Sequence, residues 1–174
     1  MINRITTLAV MGLLGTALFA ANKPVTVTIK DAMGKDVGMA KLSDGAGGKG
    51  VKIAATLKGL PPGEHAFHFH ATAKCEAPGF TTAGGHFNPD THHHGINNAE
   101  SPKPHDGDMP NFTVGPKGTA KLNLVNSMVT LGDGPNSLFT GGGTALMIHA
   151  KGDDLKSDPA GNAGDRIACG TITK

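Results

Sequence analysis

From residue 25 to residue 172 the apolar residues recur at every second position, in runs that Gly, Pro, Asp and Asn keep short. "VTVTIKD", "GVKIAATLKGL", "HAFHFHA", "NFTVGPKGTAKLNLVN", "GTALMIHA" and "RIACGTIT" all have this form. A period of two places alternate side chains on opposite faces of a strand. No comparable 3.6-residue apolar period occurs after residue 21. The pattern predicts an all-β domain, an antiparallel sandwich or barrel. With 26 Gly and 11 Pro, turns and loops take a large share of the chain, and with no Trp or Tyr the core rests on aliphatic residues and Phe. Two stretches carry no strand signal, residues 71–111 and 151–166. Loops this long inside a compact domain commonly carry function. There is no internal repeat or linker, so residues 22–174 are expected to form one domain.

Residues 1–21 have the form of a secretory signal peptide: Arg4, then the apolar "ITTLAVMGLLGTALFA", then small residues before "NKP". The alternative is a single membrane anchor, for which the run is near the lower length limit. Loss of Arg4 leaves 15 basic against 14 acidic residues, and a near-neutral chain without a basic run speaks against a nucleic-acid partner. After cleavage no stable membrane contact is expected. Export to an oxidising compartment favours a disulfide between the two cysteines, Cys75 and Cys169, over two free thiols.

All nine histidines lie after residue 21, and eight of them fall between residues 65 and 105. His68 and His70 alternate with Phe67 and Phe69, so a strand there presents two imidazoles opposite two phenylalanines. His86, His92, His93, His94, His105 and Asp108 lie in the long loop, which has few large apolar residues to order it. A shared metal would do so. Three histidines with an aspartate suit a closed zinc site, and strand histidines with an open neighbour suit a redox copper site. Spacing alone does not choose among Zn, Cu, Ni and Fe.

The motifs "GEHAFHFH", Cys75, "AGGHFNP", "HHHG", "HDGDMPN", "IHAKGDDL" and "GNAGDRIACGTI" occur in this order, and from about residue 25 to 174 the chain resembles copper/zinc superoxide dismutases of the secreted, periplasmic bacterial kind. The resemblance implies an eight-stranded Greek-key β-barrel with long metal-binding and electrostatic loops. It implies copper ligands His68, His70, His86 and His149, and zinc ligands His86, His94, His105 and Asp108, with His86 bridging. His94 is preferred to its neighbours because it lies eight residues after His86 and directly before Gly95. Asp153 falls on the carboxylate that links a copper ligand to a zinc ligand. Arg166 falls on the arginine that attracts superoxide, Cys75 and Cys169 on the family disulfide, and His65 on a structural histidine. The implied reaction takes two superoxide ions and two protons to O₂ and H₂O₂ through Cu(II)/Cu(I) cycling, an antioxidant activity. His86 would carry a proton. A copper-delivery protein or an inactive relative of the same fold would be expected to lack ligands or Arg166. A zinc-only binding module is distinguished by copper. The resemblance leaves a homodimer open.

Overall fold

The computed structural model describes residues 21–174. The signal-peptide segment, apart from its last residue, lies outside the described residues. Among the described residues nine strands form: β1 (Val25–Asp31), β2 (Asp36–Asp44), β3 (Val51–Lys58), β4 (Gly63–His65), β5 (Phe67–His70), β6 (Phe112–Val114), β7 (Thr119–Asn126), β8 (Thr144–His149) and β9 (Arg166–Ile172). Seven of them make one curled antiparallel sheet in the order β5-β8-β9-β1-β2-β3-β7, and β4 pairs with β6 in a second, small sheet. The expected eight strands become nine because the His/Phe strand is interrupted at Ala66. There the chain leaves the small sheet and enters the edge of the large one. Ala66 stays attached, its N–H donating to the Lys151 carbonyl (2.8 Å) and its carbonyl accepting from His149 N–H (3.1 Å).

The alternating runs become alternating burial. In β3, Val51, Ile53, Ala55 and Leu57 are buried while Lys52, Thr56 and Lys58 are exposed. The inward faces of β1, β2, β3, β5, β7, β8 and β9 share one core that contains Ile29, Leu42, Ile53, Phe67, Phe69, Leu122, Leu146, Ile148 and Ile172. A fully buried Leu, Ile or Phe in such a core contributes about 1.5–3 kcal/mol relative to exposure. β8 is buried at all six positions, Thr144 to His149, because strands flank it and loops cover its second face. The "GPKG" segment makes a tight turn in which Gly115 N–H donates to the Thr119 carbonyl (3.0 Å). The two arms then diverge, β6 to the small sheet and β7 to the large one.

The long loops form no strand, only an isolated bridge at His86 and a short 3₁₀ turn at Thr81–Ala83. Residues 71–111 are nevertheless pegged by apolar burial, a correction to the expectation that metal alone could order them. Phe80, Phe87 and Met109 are buried, the last two in the main core. Three well-placed side chains suffice where an overall count of large apolar residues looked too low. Cys75, within the same loop, is joined by a disulfide to Cys169 in β9, with Cα atoms 5.6 Å apart.

Candidate metal centre

Alternation along β5 sends Phe67 and Phe69 into the core, where Phe67 meets Phe112 edge-on at 5.8 Å, and His68 and His70 to the other face. That face is not open: both imidazoles are fully buried beneath the long loops. The same parity puts His65 with the phenylalanines. It packs on Phe112 (5.7 Å), and its ring nitrogens meet the carbonyls of His149 (2.7 Å) and Pro61 (2.8 Å). His149 ends β8, where the pairing with β9 shifts register between Ile148 and His149, an irregularity of the kind that re-aims a side chain.

The loop delivers its residues by running its backbone along β5. Phe69 N–H donates to Gly107 O (3.0 Å), Phe87 N–H to Phe69 O (2.8 Å) and Gly107 N–H to Phe87 O (2.7 Å). His86 is thereby fixed beside Phe87, and His105 and Asp108 on either side of Gly107. A Cβ at Gly107 would collide with the Phe69 carbonyl, so only glycine permits this approach.

Two groups of potential ligands result. In each, one ligand atom from every member lies within 4.8 Å of the others: His68, His70, His86 and His149, and His86, His94, His105 and Asp108. All seven residues are buried, and His86 belongs to both groups. In the first group each ring spends one nitrogen on an outward partner. His68 Nε2 bonds to Asp153 Oδ2 (2.8 Å), His70 Nδ1 to the Gly84 carbonyl (2.9 Å), His149 Nδ1 to the Gly164 carbonyl (3.3 Å) and His86 Nδ1 to Asp108 Oδ1 (2.8 Å). The remaining nitrogens are His68 Nδ1, His70 Nε2, His86 Nε2 and His149 Nε2. His70 Nε2 and His149 Nε2 lie 3.3 Å apart, while His68 Nδ1 and His86 Nε2 are buried with no hydrogen-bond partner at all. Unpaired buried polar atoms are costly, and a cation would satisfy both. His105 Nδ1, in the second group, is likewise unpartnered. His94 Nδ1 meets the Asp108 carboxylate (3.0 Å to Oδ2). The donor sets therefore fit metals: four imidazoles for copper, three imidazoles and a carboxylate for zinc.

Electrostatics prepare the two groups differently. Burial lowers the His68 pKa, lowers that of His70 further with help from His86, and holds His86 and His149 at about 4. These rings are neutral, as metal ligands must be. Burial also opposes charge on His94, but hydrogen bonds to Asp108 and Asp153 outweigh it and raise that pKa to about 9. Burial pushes both carboxyls upward, yet the surrounding histidines and backbone N–H groups hold Asp108 and Asp153 well below the usual carboxylate range.

Asp153 connects the groups, taking His68 Nε2 on Oδ2 and His94 Nε2 on Oδ1 (3.0 Å). Arg166, half-buried at the start of β9, donates from Nη1 to Phe80 O (2.8 Å) and from Nη2 to Gly84 O (2.7 Å). The Gly84 carbonyl thus holds both Arg166 and His70, and the arginine charge lowers the pKa of His70 and His149. The structure brings His68, His70, His86, His94, His105, Asp108 and His149 together with Asp153 and Arg166, and leaves His65, which the resemblance sets apart, on the core side. His92 and His93 stay outside both groups. Three supporting residues were not anticipated. Asn111 clasps the Asp153 backbone on both sides (2.8 and 2.9 Å), and Asp158 accepts His94 N–H (2.6 Å). Gly161, at φ +63°, packs so closely that a Cβ would collide with Asp153 Oδ1. Only the glycine had a readable sequence signal, a turn residue in a loop of charges.

Residues 37–172 match the sequence family of copper/zinc superoxide dismutases. The chain is 47% identical over 162 residues to "Superoxide dismutase [Cu-Zn] 2" of Aquifex aeolicus, covering 92% of each chain, and 36% identical over 150 residues to "Superoxide dismutase [Cu-Zn]" of Caulobacter vibrioides, covering 84% of each. Among solved structures, a SOD-like protein from Bacillus subtilis superimposes with a TM-score of 0.81 at 31% identity, over 88% of this chain and 99% of the other. Cu/Zn superoxide dismutase from Brucella abortus does so with a TM-score of 0.70 at 29% identity, over 86% and 99%. Shared sequence over most of the length, a shared fold and two fused ligand groups agree: the chain belongs to the copper/zinc superoxide dismutase family.

Proposed function

We propose that this chain disproportionates superoxide, taking two superoxide ions and two protons to O₂ and H₂O₂. The observation that carries the reading is one buried imidazole, His86, common to two complete ligand groups of different donor chemistry. In this reading His68, His70, His86 and His149 hold copper, and His86, His94, His105 and Asp108 hold zinc. When bound, copper supplies one-electron exchange between Cu(II) and Cu(I), and zinc supplies positive charge without redox chemistry.

The protein's own part is positional and electrostatic. Asp153 orients His68 and His94 through their Nε2 atoms, so that each presents Nδ1 inward. The carbonyls of Gly84 and Gly164 do the same for His70 and His149, which present Nε2. His86 has Nδ1 turned to the Asp108 side, where the mixed group would hold its metal; with Nδ1 so engaged, Nε2 is the atom at which the neutral ring would hold its single proton for the nascent peroxide. Arg166 holds a guanidinium fixed by two carbonyls, a charge that attracts and orients a small anion. An open groove of about 710 Å³ has Arg166 in its wall beside Asp31, Asp165, Gly79 and Gly164, and none of the ligand histidines lines it.

The disulfide and the form of residues 1–21 support a place outside the cytoplasm, in the periplasm or secreted. Whether the mature chain is a monomer or a homodimer is read from its mass under native conditions. His149→Ala tests the assignment of the site. It removes one member of the all-histidine group and leaves His94, His105 and Asp108 in place. Superoxide decay should fall to the rate without protein while zinc content is kept. Unchanged decay would refute the assignment.

A further inference from the structure

We infer that Asp90, His92 and Asp106 form a third cation site, separate from both ligand groups above, which takes a divalent transition cation of the zinc class at the surface of the long loop. One ligand atom from each of the three lies within 4.8 Å of the others. Asp90 is exposed, His92 is half-buried and Asp106 is fully buried, so the site has a closed floor and an open mouth.

The floor is incomplete as it stands. Asp106 Oδ1 accepts from Asn136 Nδ2 (2.7 Å), but Asp106 Oδ2 is buried with no hydrogen-bond partner. The same Asn136 amide reaches Asp90 Oδ2 (3.3 Å), so one neutral group serves two carboxylates. Among the described residues, no ion pair within 4.0 Å involves Asp90 or Asp106. Two neighbouring carboxylates, one of them buried, without a positive partner are unfavourable unless a cation supplies it.

His92 is prepared as the third ligand. Its Nδ1 meets the Pro104 carbonyl (3.0 Å), which places the proton on Nδ1 and leaves the Nε2 lone pair free. Asn88 holds the His92 backbone from both sides, its Nδ2 donating to His92 O and its Oδ1 accepting from His92 N–H (both 2.9 Å). Two carboxylates and a neutral imidazole balance a divalent charge, and the imidazole selects zinc-type cations over calcium and magnesium. Water completes the coordination at the open mouth. No residue is shared with the two buried groups, so the site does not depend on dismutation.

The test starts from protein shown by metal analysis to hold one copper and one zinc per chain, titrated calorimetrically with zinc and, in parallel, with calcium. One further zinc equivalent per chain is expected, with no calcium uptake. Asp90→Asn and His92→Gln should each abolish it while the first copper and zinc are kept. Both residues lie at or near the surface, so neither replacement removes core packing. Absence of a further zinc equivalent, its persistence in either variant, or equal binding of calcium would overturn the inference.

Discussion

Asp153 is a buried carboxylate whose two oxygens each receive a histidine, and this geometry sets a requirement that asparagine does not meet. His68 and His94 both donate through Nε2, so both oxygens must accept. In Asp153→Asn one of them becomes a donor and faces a donor. Loss of a partner that orients ligands typically costs about 10–100-fold in metal affinity. Zinc affinity of this variant, measured by competition with a chromophoric chelator, should fall in that range; an unchanged affinity would contradict the bridging role. His94 makes zinc binding depend on pH. Its pKa of about 9 means that the metal-free protein carries a proton there at pH 7, which zinc must displace. Zinc affinity should therefore rise with pH, by roughly tenfold per unit up to about 9 for this one proton. Calorimetry in buffers of different ionisation enthalpy should detect proton release on zinc binding, and none would count against the assignment. Much of the site was readable at this scale, because His68, His70, His86 and Asp108 sit in compact motifs. The link through Asp153 came from the family resemblance alone, without its particular partners, since His68 and Asp153 are 85 positions apart and meet only after β8 has paired with β5.

Among the elements, strands fix His68, His70 and His149, and the long loops fix His86, His94, His105 and both carboxylates. Period-two runs revealed the strands because each has one face in the core. The course of the loops was hidden, because it depends on a few pegs and close approaches: Phe80, Phe87, Met109, Gly107 and Gly161. Gly161 gives the sharpest case. Its positive φ and its contact with Asp153 leave no space for a methyl group, so Gly161→Ala should displace the carboxylate and lower zinc content, as read by metal analysis. Full zinc occupancy in that variant would show that the loop can yield. The disulfide ties the first loop to β9 across a separation of 94 residues. Removing a bridge from a small secreted domain typically costs about 2–5 kcal/mol. Cys169→Ser should lower unfolding stability by that amount in urea titrations. It should also loosen the segment from Cys75 to Gly84, whose Phe80 and Gly84 carbonyls hold Arg166.

Over the whole molecule, charge is nearly balanced, so attraction of an anion must be local rather than a property of net charge. We propose that Arg166 supplies that local field; it is fixed in place by a fork of two hydrogen bonds that a lysine cannot reproduce. Arg166→Ala should slow superoxide removal and flatten its dependence on ionic strength, and Arg166→Lys should restore only part of the rate. Equal salt dependence in both proteins would place the attraction elsewhere. We propose that the protein's activity resides in the all-histidine group, with the mixed group in a supporting role. Its most direct measurement is superoxide decay after a radiolytic pulse, in protein loaded with zinc alone and then titrated with copper. Decay should be no faster than in buffer with zinc alone, then rise in proportion to bound copper and stop rising at one copper per chain. Decay that stays at the buffer rate with copper bound, or that is already fast with zinc alone, would contradict the account.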